Sequence, residues 1–150
     1  MGTFPVRVDM FYEQRMSVPE SPAELRAEYD DDLAQVLETR GLEHVSMLTG
    51  IDEDRLESIG TAEPPSLSLE EAAQIQSQGS DDPDPETIET MACEHLLLGM
   101  STAVLDVDAV ESELEIDLDP KEIQQKIERR APMSFDEYVH VQHTIVSNTP

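Results

Sequence analysis

Signals that begin α-helices recur along the chain and constrain its fold more than any other feature. A serine or aspartate with proline at the next position, or with glutamate three positions later, is a pattern that caps the first turn of a helix. It occurs at Ser21, Ser68, Asp84, Asp119 and Ser134. Apolar residues follow at helical spacing, and no segment shows sustained alternation of apolar and polar residues. The sequence therefore predicts an all-α fold.

Cap and stop signals together predict the positions of eight helices. These cover about residues 22–40, 42–48, 53–58, 69–78, 85–105, 107–114, 120–130 and 135–146. Residues 79–83 are polar and rich in turn formers, which predicts a linker. We expect one helical bundle at residues 21–78, a second at 84–147, and a loose N-terminal arm at 1–20.

The two halves of the chain resemble each other. Residues 65–76 align with residues 131–142 at an offset of 66, with Ser68 matching Ser134 and Gln76 matching Gln142. Upstream segments align at an offset of 65, and the helices follow the same order in both halves. This pattern indicates an internal duplication.

Within each half, the short helices and turns follow the order of a helix-turn-helix motif. Residues 42–75 place Val45 inward, Gly50 at the turn and a second short helix after it. Residues 107–141 repeat this order, although Glu115 stands where the turn glycine belongs. On these residues, each half resembles the lambda-repressor-like helix-turn-helix family. The whole chain also looks similar to a family of small acidic haloarchaeal proteins. The resemblance implies two helix-turn-helix-like bundles in tandem.

The helix-turn-helix resemblance implies that the second helix of the motif enters the major groove of DNA. In the first half, residues 52–58 carry four acids and one base, so that bundle is interpreted as degenerate. In the second half, residues 121–130 hold four of the nine basic residues of the chain. Glutamine can pair with adenine, arginine with guanine and lysine with phosphate. The predicted DNA-binding residues are Lys121, Gln124, Gln125, Lys126, Arg129 and Arg130. The leading hypothesis is a DNA-binding transcriptional regulator.

Two other interpretations of the sequence stay open. Residues 121–130 are also typical of a solvated helix whose last two arginines favour the negative end of the helix dipole. Alternatively, the chain is a non-enzymatic protein–protein interaction module without nucleic-acid binding. Helix 85–105, apolar on almost all sides beyond residue 95, would then meet a protein partner or a second copy of the chain. Exposed, contiguous bases favour DNA binding, whereas bases paired with acids such as Glu122 and Glu128 favour the interaction module.

The charge balance points to an environment of high salt. The chain has 34 acidic and 9 basic residues, a formal net charge of −25, and no acidic run longer than three residues. Molar salt shortens the Debye length to about 3 Å and screens the resulting self-repulsion. The composition therefore favours a halophilic cytoplasmic protein, with an acidic DNA mimic as the alternative. No run of 18 apolar residues or secretory signal occurs, and a single cysteine suits a reducing cytoplasm.

Motifs of catalysis are weak in this sequence. There is no glycine-rich phosphate loop and no nucleophile elbow. Cys93 and His95 share one predicted helix, while His140 and His143 lie one turn apart on another, a spacing that metal ligands can have. We interpret Cys93 as a buried hydrophobic residue and the two later histidines as part of a solvated face. A metal-dependent activity is the weaker alternative, and we expect neither enzymatic activity nor a metal or cofactor.

Overall fold

The structure, a computed structural model, describes residues 10–15, 17–61, 64–79 and 82–149. Within these ranges, eight α-helices form, and the all-α prediction is confirmed. They are α1 (Pro22–Arg40), α2 (Leu42–Thr49), α3 (Glu53–Glu57), α4 (Leu69–Gln76), α5 (Pro85–Ala103), α6 (Val107–Glu113), α7 (Pro120–Ile127) and α8 (Phe135–Ser147).

The predicted caps begin five of these helices. The side chain of Ser21 accepts a hydrogen bond from the backbone N–H of Glu24, and Asp84 accepts one from that of Thr87. At α4, α7 and α8, the glutamate at the third helical position also accepts from the backbone of the cap residue, which completes a capping box. Because these bonds satisfy backbone groups that the first turn leaves unpaired, the local sequence fixes where each helix starts.

Four helices, α1, α4, α5 and α8, form the centre of the molecule. Helix α1 packs against both α4 and α8, and α5 packs against the same two helices. Their inward side chains, including Tyr29, Ile88, Phe135 and Tyr138, belong to one continuous hydrophobic cluster. The sequence predicted two bundles in tandem. In the structure, the helices of both halves contribute to one shared core.

The duplication has a structural counterpart where α4 and α8 begin. Ser68 and Ser134, which are 66 residues apart, form an isolated antiparallel bridge. The N–H of Leu69 donates to the carbonyl of Met133 at 2.9 Å, and the N–H of Phe135 donates to the carbonyl of Leu67 at 2.8 Å. Equivalent residues thus meet across a local two-fold axis.

The long helices of the two halves correspond as well. Helices α1 and α5 each have 19 residues and begin with proline, which sets an offset of 63 between them. Both end at a residue with positive φ, Gly41 at +94° and Val104 at +57°. This offset identifies equivalent positions on α1 and α5.

The segment before α1 is part of the core. Residues 1–9 of the predicted loose arm lie outside the described residues, but Phe11 and Tyr12 are buried. The Phe11 ring lies 5.1 Å from that of Phe135 and 5.9 Å from that of Tyr138, both edge-on. The backbone carbonyl of Phe11 accepts a hydrogen bond from the Tyr138 hydroxyl. In the described part, the expected loose arm is therefore anchored to the core by Phe11 and Tyr12.

Candidate functional site

Helix α7 presents only part of the predicted DNA-binding surface to solvent. Ile123 and Ile127 are buried as the periodicity predicts, while Lys121 and Gln124 are exposed. Gln125 is half-buried. The side-chain amide of Gln124 donates to a carboxylate oxygen of Glu128 at 3.1 Å. The outward face of α7 thus carries Lys121, the acid Glu122, and a glutamine that is already bound to Glu128.

The remaining three predicted bases are paired with acids. Lys126 Nζ lies 2.8 Å from Glu137 Oε1, and Arg130 Nη2 lies 3.2 Å from Glu128 Oε1. Arg129 donates to Thr90 Oγ1 at 2.7 Å, and its Nη2 lies 3.8 Å from a carboxylate oxygen of Glu89. These bases are tied to acids on α5, α8 and the end of α7.

The predicted extent of helix 120–130 was wrong at its C-terminal end. Helix α7 ends at Ile127, and Arg129 takes a left-handed conformation with φ +64°. The N–H of Arg130 donates to the carbonyl of Gln125, which closes the helix. Glycine is the usual residue at such a helix end, and its absence here explains why this stop was not predicted. Both arginines therefore lie on the segment that leads toward α8.

Lys126 repeats a structural role that Arg55 plays in the first half. The Arg55 guanidinium donates to the Ser66 carbonyl at 2.6 Å and to the Glu71 carboxylate at 2.8 Å. Lys126 donates to the Pro132 carbonyl at 3.0 Å and to the carboxylate of Glu137. Both pairs of acceptors are 66 residues apart. Each base holds the loop and the capping-box glutamate that begin the next central helix.

A cleft of about 350 Å³ opens beside α4, α5 and the segment after α7. We call it the α4–α5 cleft. Its charged lining consists of Glu70, Glu89, Lys126, Arg129 and Arg130. Leu69, Cys93 and Met133 contribute buried apolar side chains. Three of the nine basic residues of the chain thus line one depression.

The position equivalent to this cleft in the first half is filled by the buried side chain of Arg26. Its Nε lies 2.9 Å from Asp30, its Nη1 lies 2.5 Å from Asp136, and its Nη2 lies 2.9 Å from the Pro65 carbonyl oxygen. The guanidinium carbon lies 5.0 Å from the centre of the Phe135 ring. The first half therefore holds its own guanidinium between two carboxylates, a carbonyl and an aromatic face.

In the second half, the corresponding residues have changed. The offset of 63 places Glu89 at the position of Arg26 and Cys93 at that of Asp30. The offset of 66 places Glu70 at the position of Asp136 and Ala131 at that of Pro65. A shorter acidic side chain, that of Glu89, thus stands at the position equivalent to Arg26 and lines the cleft.

Burial sets the ionisation of two groups in the cleft. Desolvation raises the pKa of Glu89, against the opposing effect of Arg129, and nearby Glu70 and Glu86 raise it further. Desolvation also raises the pKa of Cys93 to about 11. Because thiolate is the reactive form, Cys93 is a neutral thiol at pH 7 and packs as a small hydrophobic residue.

The histidines considered as metal ligands make other contacts. His95 Nδ1 lies 2.8 Å from the Tyr12 carbonyl oxygen, and His143 Nε2 lies 2.7 Å from that of Pro19. Within the described ranges, no three histidine, cysteine or acidic side chains are grouped as a metal would require. The structure thus brings His95 and His143 to backbone carbonyls rather than to one another.

An apolar face of α5 lies toward solvent. Leu96 and Met100 are buried, but Leu97 is 46% exposed, Leu98 is 47% exposed and Val104 is 89% exposed. Residues 95–105 contain no acidic residue, lysine or arginine. We call Leu97, Leu98, Ser101 and Val104 the α5 stripe. For this segment the sequence was compatible with a buried helix or with a contact face for a partner. In the structure, one side of the helix is buried and the other is exposed.

The described part of the chain is all-α and carries the mixed-charge α4–α5 cleft and the uncharged α5 stripe. Residues 25–148 match a family of unknown function, DUF5791, and the chain belongs to that family. Comparison with curated proteins and with solved structures found no match. Among the described residues, no helix has the length and apolarity needed to cross a membrane.

Proposed function

We propose that the chain is a non-enzymatic protein-interaction module that pairs with a second copy of itself through the α5 stripe. The observation that carries this proposal is the exposure of Leu97, Leu98 and Val104 on a segment without charged side chains. Exposed apolar residues that are grouped together mark interaction sites more often than isolated ones do.

The charge of the chain favours a second copy as the occupant. Two molecules of net charge −25 repel each other over most of their surfaces. The α5 stripe is a surface on which this repulsion is weak, and an uncharged face is complementary to itself in a two-fold interface. An open groove of about 540 Å³ lies beside Val104, and Met100, Leu105 and Ala109 line it together with one acidic residue, Asp106. In a two-fold pair, Val104 of one copy would enter the groove of the other.

DNA binding is the competing proposal and depends on Lys121 and Gln124, which are exposed on α7 beside the acid Glu122. The ion pairs of Lys126, Arg129 and Arg130 favour the interaction module, because breaking them to contact phosphate would leave their carboxylates unpaired. Molar salt would further weaken any phosphate contacts, since each contact lowers log K by about 0.9 per tenfold rise in salt. A gel-shift assay in high salt separates the two. DNA binding that disappears on Gln124→Ala with Gln125→Ala would favour the regulator.

Sedimentation equilibrium tests the pairing. The wild-type chain in molar KCl should sediment as a dimer, and Leu98→Asp should sediment as a monomer because it places a charge in the α5 stripe. Met47→Asp is the matched control, since Met47 is 74% exposed on α2 and lies outside the stripe. A wild-type monomer at all accessible concentrations, or equal disruption by Met47→Asp, would refute the proposal.

The proposal places this module in the high-salt cytoplasm that the acidic composition favours. Each described half carries exposed acids on nearly every helix, so screening should both stabilise the fold and permit pairing. A salt titration followed by circular dichroism tests this, with helicity expected to rise as KCl approaches molar concentration. A fold that is complete in dilute buffer would count against a halophilic protein.

A further inference from the structure

The α4–α5 cleft presents both signs of charge beside apolar side chains. Glu70 and Glu89 supply carboxylates, and Arg129 and Arg130 supply guanidinium groups. The side chains of Arg129 and Arg130 are 39% and 66% exposed. Arg129 lies 3.8 Å from Glu89 and Arg130 pairs with Glu128 at 3.2 Å, so a ligand carboxylate would replace these acids while a positive group on the same ligand pairs with Glu89. A ligand that satisfies this lining must carry a positive and a negative group a short distance apart.

The local two-fold axis gives an independent reason to regard this depression as a binding site. In the first half, the same position holds a guanidinium on two carboxylates and a backbone carbonyl. The second half keeps one of those acids as Glu70 and adds Glu89, yet its nearest guanidinium, that of Arg129, lies 3.8 Å from Glu89. The acids of the cleft are therefore less completely paired than those around Arg26.

The backbone at the mouth of the cleft is strained. Arg129 has φ +64°, a left-handed conformation that residues with a side chain rarely adopt. Such strain persists where the surrounding structure holds it and is concentrated at functional sites. Here the conformation places two consecutive arginines on the rim of the cleft.

We propose that the α4–α5 cleft binds a free α-amino acid with an aliphatic side chain. The carboxylate of the ligand would pair with Arg129 and Arg130, and its ammonium group with Glu70 and Glu89. Its side chain would contact Leu69 and Met133. A volume of about 350 Å³ lies within the range of small-molecule pockets. This proposal is independent of pairing through α5, because the α5 stripe contributes no residue to the cleft.

Isothermal titration of the full chain with three matched probes tests the proposal. Leucine carries both charges, 4-methylpentanoate lacks the ammonium group, and 3-methylbutylamine lacks the carboxylate. Leucine should bind at least about tenfold more tightly than either analogue, since each lacks one charged pairing. No heat from leucine or from the other aliphatic amino acids at millimolar concentration would overturn the proposal. So would equal binding of leucine and a single-charge analogue.

The residues of the first half indicate which substitutions should fill the cleft. Glu89→Arg with Cys93→Asp reproduces the arrangement of Arg26 and Asp30, so it should abolish leucine binding and leave helicity unchanged. If this variant does not fold, Arg129→Gln carries the test and should weaken leucine binding about tenfold. Arg40→Gln, which removes an exposed arginine outside the cleft, should bind as the wild type does. Wild-type affinity in the filled variant, or in Arg129→Gln, would refute the site.

Discussion

Replacing Val104 by glycine should stabilise the isolated chain and weaken its pairing. Val104 is a β-branched residue in the left-handed conformation, at the helix end where the first half has Gly41. That conformation costs about 1–2 kcal/mol for a residue with a side chain and nothing comparable for glycine. In a monomer, Val104 therefore lowers the free energy of unfolding without burying its side chain. Pairing would bury that side chain against a second molecule and so offset the backbone strain.

The expected gain in the free energy of unfolding of Val104→Gly depends on how exposed the valine side chain is. Because Val104 is 89% exposed, its removal forfeits about a tenth of the 1.5–3 kcal/mol that full burial of valine provides, or about 0.2–0.3 kcal/mol. The greater freedom of glycine in the unfolded chain costs a further 0.4–1 kcal/mol, roughly. The balance is a stabilisation of about 0.5 kcal/mol, which corresponds to about 1–2 °C in Tm for a chain of this size.

Two measurements in the same molar KCl buffer check the reasoning. Urea unfolding at a concentration where the chain is monomeric should show the gain in Val104→Gly. Sedimentation should show a dimer dissociation constant at least about tenfold higher, since each copy loses a buried valine. The reciprocal variant Gly41→Val should lose about 1–3 kcal/mol, because valine is strained at φ +94°. Unchanged pairing, or a loss of monomer stability in Val104→Gly, would show that the strain has another explanation.

Three further predictions concern the core and its ion pairs. Arg26→Met should cost about 3–5 kcal/mol in urea unfolding, because it leaves buried Asp30 without its guanidinium. Since Arg55 lowers the pKa of Glu71 from its ordinary 4.5, the stabilisation from this pair is complete above that pH and is lost as the pH falls through the folded value. The difference in stability between the wild type and Glu71→Gln should therefore vanish in acid, and a difference that persists there would contradict the pairing. Alkylation of Cys93 at pH 8 should be about a hundredfold slower than that of a free thiol, because its pKa of about 11 lies two units above the ordinary 9.0, and rapid labelling would contradict its burial.

The sequence predicted the helices well because the signals that begin them are local. A cap residue and its glutamate lie within one turn, so their hydrogen bonds depend little on the rest of the fold. The burial of Phe11 and Tyr12 could not be predicted in this way, since no periodic pattern surrounds them. Their aromatic character was the available signal, because the whole chain has only six aromatic residues.

The candidate site was harder to predict because it depends on contacts between distant elements. The α4–α5 cleft becomes visible when Glu89 is aligned with Arg26 at an offset of 63, whereas the sequence repeat was most evident at 65 and 66. The structural role of Lys126 could have been predicted from the sequence. A capping-box glutamate follows each base at the start of the next central helix, Glu71 after Arg55 and Glu137 after Lys126. Without coordinates, the basic residues near glutamines were compatible both with DNA recognition and with a solvated helix face.

The exchange of contacts between the halves has a consequence for synthesis on the ribosome. Helix α1 is made before α8, the last of the described helices, yet packs against it. Until α8 has left the exit tunnel, the inward faces of α1 and α5 lack one of their two covering helices. The nascent chain therefore carries incompletely covered apolar surfaces until α8 is available, and its many carboxylates would keep neighbouring nascent chains apart during that interval.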